Sequence, residues 1–350
     1  MKVRVLVIDD SATVRMLLKA GLESDGRIEV VGTARDPFEA REKIVELNPD
    51  VLTLDIEMPR MDGLKFLTKL MPQYPLPVIM VSSLTRNGQK ITMQCLEAGA
   101  LDFVTKPQSS TPDGLNAMLF LLRNKICDAA KVDVSSFSSK SMSGKSHVAR
   151  PTQRRQWAPG SLIAVGASTG GTEALRVFLT RLPKDFPPVL VVQHMPAGYT
   201  AHFAQRLNDL CAIKVCEASD GMAVDSGNVY IAPGGRQMGL SYFEGKNRIR
   251  VLEGEKVSGH RPSVDHLFLS LVPFKRFKIS ALIMTGMGSD GALGMTKLAE
   301  AGAYTMAQDE SSCVVFGMPK ACILAGAVQV ICPLYQMADE LMEHLSEGDK

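Results

Sequence analysis

Short apolar runs alternate along this chain with stretches of helical periodicity, and the runs tend to stop at a polar side chain. Strands separated by helical stretches imply crossover units in a parallel sheet covered on both faces. Residues 3–8, 29–33, 51–54, 77–81 and 102–105 read as five such strands, with helical patterns at 12–22, 37–48, 63–71, 91–98 and 113–130. The alternation resumes at residue 162. Strands are expected at 162–168, 189–194 and 278–285, and helices at 172–181, 201–210, 263–271 and 291–301. Residues 228–231 and 237–241 read as a hairpin turning at Pro233-Gly234-Gly235, with 248–252 joining it.

The stretch around 132–159 is rich in Ser, Lys and Arg and lacks apolar periodicity. Such a composition buries too little surface to offset the entropy of ordering it. It separates a domain at 1–130 and a domain at 159–346 by a linker at 131–158. Both domains read as α/β: the first a five-stranded parallel, flavodoxin-like sheet, the second a doubly wound sheet with an antiparallel hairpin. The polar tail from residue 343 reads as frayed.

A formal net charge of +2 supplies no basic excess, so neither nucleic acid nor a membrane is an expected partner. No run approaches the ~18 apolar residues of a spanning helix, and the first apolar run is too short for a signal peptide. The seven cysteines are scattered without a Cys-x-x-Cys pair, which argues against a disulfide framework. A cytoplasmic monomer is the expectation.

Asp9, Asp10, Asp55, Ser82 and Lys106 fall at the carboxyl ends of the first block of strands, which share one edge in an open parallel sheet. Three acids gathered there repel one another and call for a cation. Carboxylate oxygens suit Mg²⁺, which keeps several waters and bridges to phosphate. Asp55, alone on the central strand, is then the natural nucleophile, with Lys106 holding transferred charge. Singly, Asp9 or Asp10 reads equally well as a solvated cap or a helix N-cap.

Together with Met58-Pro59, Met61-Asp62-Gly63 and Pro107, these residues make the first domain resemble the receiver domain of two-component response regulators. The resemblance implies that Asp55 accepts a phosphoryl group from a histidine kinase. It also implies Mg²⁺ on Asp9, Asp10 and Asp55, and Ser82 and Lys106 at the phosphate. Phe103 stands where receivers often carry a switch aromatic, although a core Phe fits its spacing equally.

In the second domain Ser168, His194 and Asp290 lie at or after strand ends. A serine in Gly166-Ala-Ser-Thr-Gly-Gly171 sits on a strand-to-helix turn that exposes its hydroxyl. His194 can take the serine proton, and Asp290 can fix the imidazole tautomer. The amides of Thr169 and Met287 are candidate oxyanion donors, given the helix N-terminus after Ser168 and the glycine-rich segment 285–291. A nucleotide phosphate could occupy the same glycine-rich turn, but no acid ends a second strand at the usual spacing of ~20 residues. His202, His260 and His266 compete with His194 as base, and the polar loop 259–265, with Arg261, could line a substrate site.

Gly166–Gly171, Gln193-His194-Met195-Pro196, residues 260–265, residues 284–291 and residues 312–319 make this domain resemble the chemotaxis protein-glutamate methylesterases, the CheB family. Receiver first and catalytic domain second, the likeness spans nearly the whole chain. One local departure is Ser289, where Asn is familiar. The resemblance implies hydrolysis of glutamate methyl esters on chemoreceptors, deamidation of receptor glutamines, and catalysis by Ser168, His194 and Asp290. It implies no cofactor for hydrolysis. The two-domain layout, with a linker long enough to permit rearrangement, leads to the expectation that the receiver hinders the catalytic edge until Asp55 is phosphorylated. A receiver-controlled nucleotide-binding module and a transcriptional regulator are the alternatives. The second lacks a basic recognition helix after the linker.

Overall fold

The computed structural model describes residues 2–83, 85–107, 111–132 and 156–346. Most of the expected linker, residues 133–155, and the tail from residue 347 lie outside the described residues. The chain divides into two compact units, residues 1–147 and 148–350.

In the first unit β1 (Val3–Ile8), β2 (Ile28–Ala34), β3 (Val51–Asp55), β4 (Val78–Ser82) and β5 (Asp102–Thr105) form one parallel sheet in the order β2-β1-β3-β4-β5. Every residue of β3 and β4 is buried, as a sheet covered on both faces requires. The helices are α1 (Ala12–Glu23), α2 (Pro37–Leu47), α3 (Gly63–Gln73), α4 (Arg86–Glu97) and α5 (Pro112–Ala129). Side-chain caps set the starts of the first four: among them Asp36 accepts from the amides of Phe38 and Glu39 ahead of Pro37, and Asp62 accepts from that of Lys65. The α4 helix begins five residues before the expected 91, because Thr85 caps it at the Gly88 amide and Gly88 hides the apolar period of the first turn.

The main sheet of the second unit has seven strands in the order β14-β13-β12-β6-β7-β9-β8, every neighbouring pair parallel. They are β6 (Ser161–Ala167), β7 (Val189–Gln193), β8 (Lys214–Glu217), β9 (Asn228–Ile231), β12 (Lys278–Ile283), β13 (Tyr304–Gln308) and β14 (Val330–Cys332). Helices α6 (Gly171–Leu179), α7 (Tyr199–Leu210), α8 (Val264–Leu271), α9 (Ala292–Glu300), α10 (Met318–Leu324) and α11 (Leu334–Leu345) complete it. The C-terminal helix continues through Leu345, so the chain is not frayed from 343 as expected.

The hairpin is a correction to the sequence reading. It joins β10 (Gln237–Phe243) to β11 (Lys246–Leu252) and turns at Glu244-Gly245. Residues 228–231 instead lie inside the parallel sheet between β7 and β8. Pro233-Gly234-Gly235 is a crossing, not a hairpin turn. A Cβ on Gly234 would stand 2.2 Å from the Pro196 carbonyl oxygen, so glycine there serves a close backbone approach. Strands 214–217, 304–308 and 330–332, three to five residues each, and the helices at 318–324 and 334–345 are additions to the sequence reading. The β10–β11 ribbon packs Met238, Leu240, Ile249 and Val251 into the same core as Leu267 and Phe268 of α8. That contact fixes the loop between β11 and α8 near the carboxyl edge of β6.

Candidate active site

Strand register brings the second unit's polar groups together. Ala167 of β6 is paired with Gln193 of β7, and the His194 amide donates to the Ala167 carbonyl at 3.2 Å. Ser168 and His194 are therefore neighbours, each one residue past its strand. On the other flank Gly166 pairs with Ile283 of β12, and the Ser168 amide donates to the Thr285 carbonyl at 3.0 Å. The segment from Thr285 to Asp290 thus runs on beside Ser168. Gly170 caps α6 at φ 77°, a left-handed conformation that lets the chain turn from strand to helix just after the serine.

Asp290 is 2% exposed and takes four hydrogen bonds. Its Oδ1 accepts from Ser263 Oγ at 2.8 Å and the Asp265 amide at 2.9 Å. Its Oδ2 accepts from the Val264 amide at 2.7 Å and pairs with His194 Nε2 at 2.7 Å. Burial alone would raise the Asp290 pKa, but the bond and charge of His194 and the α8 amides outweigh it and hold the carboxyl below its ordinary value. Asp265, by contrast, is pushed up, by burial first, with the Asp290 charge adding to it.

The other ring nitrogen, His194 Nδ1, is buried and has no hydrogen-bond partner among the described residues. Ser168 is 9% exposed, and its Oγ makes no hydrogen bond among the described residues. A base and a nucleophile not yet bonded are common before substrate binds. The turn itself is braced: Gln193 Nε2 donates to the Ser168 carbonyl at 2.8 Å, and Thr285 Oγ1 to the Thr169 carbonyl at 2.9 Å. Met287 lies half-buried in the segment before Asp290, and its amide donates to no group among the described residues.

In the first unit Asp9, Asp10 and Asp55 bring carboxylate oxygens within 4.8 Å of one another. Asp9 and Asp55 are buried and Asp10 is exposed. Lys106 Nζ lies 2.9 Å from both Asp9 Oδ2 and Asp55 Oδ2. Burial raises the Asp55 pKa to about 6 against the pull of Lys106. Lys106 itself is raised, because its two carboxylates outweigh burial. Ser82 Oγ shares a 2.6 Å hydrogen bond with the buried Thr92 hydroxyl. Phe103 is buried on β5, opposite Met80.

The family model described as CheB methylesterase matches residues 163–341, and that of the response regulator receiver domain matches residues 5–119. A protein-glutamate methylesterase/protein-glutamine glutaminase of Syntrophotalea carbinolica is 50% identical over 348 residues, covering 99% of this chain and 98% of that protein. The chain belongs to the CheB methylesterase family. A second CheB-family relative, of Sulfurimonas denitrificans and with the same description, is 47% identical over 350 residues, 99% of each chain. The crystal structure of the Thermotoga maritima CheB methylesterase catalytic domain superposes with a TM-score of 0.51 at 39% identity, covering 53% of this chain and 99% of that one. No helix among the described residues is long and apolar enough to cross a membrane.

Within this CheB frame, two of the rival histidines separate by position. His202 is exposed on α7, and His266 packs on α8 with its pKa lowered by burial. His260 is the exception, since its ring stacks on that of His194. Sequence reasoning missed Ser263, Gln193, Thr285 and Thr92. The sequence reading puts Ser263 both in the polar loop 259–265 and at the start of the helix 263–271; it caps that helix, and its hydroxyl bonds Asp290. The available signal was a serine one residue ahead of a helical pattern, as a cap requires.

Proposed function

We propose that the chain is a phosphorylation-activated serine hydrolase. It cleaves glutamate methyl esters and deamidates glutamines on the cytoplasmic helices of chemoreceptors. The observation that carries this reading is the His194–Asp290 pair, with a buried, unpartnered Nδ1 on the ring whose backbone neighbours Ser168. The proton on Nε2 faces Asp290, so the lone pair is on Nδ1. The ring is thus turned over relative to the common triad, in which Nδ1 meets the carboxylate.

In the proposed sequence Ser168 Oγ attacks the ester carbonyl while Nδ1 takes its proton. The amides of Thr169 and Met287 hold the oxyanion. Nδ1 then returns the proton to the departing methoxide, releasing methanol and leaving an acyl-serine. Water attacks that ester by the same proton path and frees the glutamate side chain. With glutamine the leaving group is ammonia.

In the receiver, Asp55 is the phosphoacceptor, a histidine kinase the donor, and Lys106 and Ser82 the groups at the transferred phosphate. The three clustered carboxylates are a hard oxygen donor set suited to Mg²⁺. When bound, Mg²⁺ offsets the charge of the incoming phosphate.

The test is methanol release from methylated receptor helices with full-length protein, with and without a small phosphodonor and Mg²⁺. The donor is expected to raise kcat by about tenfold or more, within the range a two-state coupling supplies, and Asp55→Asn is expected to remove that rise and keep the basal rate. No methanol from any form would end the esterase reading; a rise that survives Asp55→Asn would end the receiver's part in it.

A further inference from the structure

We propose that His260 is a positioning residue that holds the His194 imidazole in the plane and tautomer hydrolysis needs. The inference rests on reading Ser168, His194 and Asp290 as the hydrolytic group. The two rings lie 3.8 Å apart between centroids and 4° from parallel, a full face-to-face contact. Among the described residues the buried His194 ring makes one hydrogen bond, from Nε2 to Asp290. One hydrogen bond fixes a point and not a plane, and the terminal torsion of a histidine is broad. A flat partner against the ring face removes that freedom. With the plane set, Nε2 stays on the carboxylate and Nδ1 stays the nitrogen without a partner among the described residues.

The loop that carries His260 is braced for this purpose. Val257 and His260 exchange backbone hydrogen bonds at 3.0 and 2.9 Å. Gln237 Nε2 donates to the His260 carbonyl at 3.1 Å, while Gln237 Oε1 accepts from the Ser263 amide at 2.9 Å. Ser258 Oγ donates to Asp265 Oδ2 at 2.7 Å, and Arg261 Nη1 to the Gly254 carbonyl at 2.8 Å. Ser263 and Asp265 are also donors to Asp290. The platform under His194 and the carboxylate at its edge are therefore one hydrogen-bonded frame. Stacked rings meet at their faces and exchange no proton, so His260 acts through His194 and not as a relay.

The experiment uses full-length protein labelled with ¹⁵N-histidine, reading the His194 ring nitrogens together with kcat and KM for methyl ester hydrolysis. His260→Phe keeps a flat face; His260→Leu keeps bulk without one; His260→Ala removes both. The Leu and Ala variants are expected to lose about 10- to 100-fold in kcat, the scale of a small misplacement of a reacting group, with KM nearly unchanged. They are also expected to mix the two His194 tautomers. The Phe variant is expected to keep the wild-type tautomer and most of kcat. Equal loss in all three with the His194 signals intact would overturn the proposal and make His260 a chemical participant. Equal activity in all three would overturn it as well. Should Ala unfold the loop, the Phe–Leu comparison decides. The nitrogen spectra remain readable with no turnover, so failure of the hydrolase reading is distinguishable from failure of this one.

Discussion

Ser168→Ala is expected to lower kcat for ester hydrolysis by about 10⁴- to 10⁶-fold, the cost of removing a serine nucleophile from a working triad. Its stability is expected to stay within about 1 kcal/mol of wild type. The structural contributions of Ser168 are made by its backbone: the amide bonds Thr285, and the carbonyl accepts from Gly171 and Gln193. The hydroxyl makes no hydrogen bond whose loss would be felt. Adding His194→Gln to Ser168→Ala is expected to cost little more, since groups that act as one unit are non-additive. Methanol release and labelling by a serine-directed phosphonate measure both. A Ser168→Ala protein that keeps a tenth of the rate would remove the serine from the mechanism.

Asp290→Asn is expected to act on stability and on chemistry together. Each carboxylate oxygen faces two donors, Ser263 Oγ and the Asp265 amide on one side, the Val264 amide and His194 Nε2 on the other. Whichever way an asparagine turns, its NH₂ opposes two donors in a buried site. Leaving buried donors unpaired costs roughly 2–4 kcal/mol in this setting. His194 would also be driven to place its lone pair toward the new NH₂, moving the proton to Nδ1 and disabling the base.

The pH dependence follows from the direction of the shift. The folded carboxyl lies below its ordinary value of 3.8, so its contribution is complete above that value and is lost as pH falls through the folded one. Denaturant unfolding of the second unit at pH 7 and at successively lower pH is expected to show the wild-type advantage shrinking. An Asn variant as stable as wild type at pH 7 would mean that the four bonds do not hold the carboxylate.

Both sheets were legible because a parallel sheet covered on both faces writes itself as apolar runs, and β3, β4, β6 and β7 are buried at every residue. The polar residue that ends such a run is conspicuous, which is why Ser168, His194 and Asp55 could be picked out. Pairing was less legible. Residues 228–231 looked like half of a hairpin because the next strand follows closely after glycines, and only the contacts of β9 with β7 and β8 reveal a parallel partner. Nor could spacing show that His194 presents Nε2 and not Nδ1 to Asp290. That depends on where the α8 amides and Ser263 aim the carboxylate, a matter of helices packed about a residue nearly a hundred positions away in the chain.

The strand order β14-β13-β12-β6-β7-β9-β8 leaves two strands on either side of the trio from which serine, imidazole and carboxylate emerge. Sheet margins breathe first, exchanging amides and admitting stray partners at little free-energy cost. A molecule whose rims are momentarily undone still keeps its middle in register. The spacing of the three groups therefore rests on the inner strands, and of the margins β13 is tied to it by a side chain, through Gln308 Oε1, which accepts from the Thr285 amide at 2.8 Å.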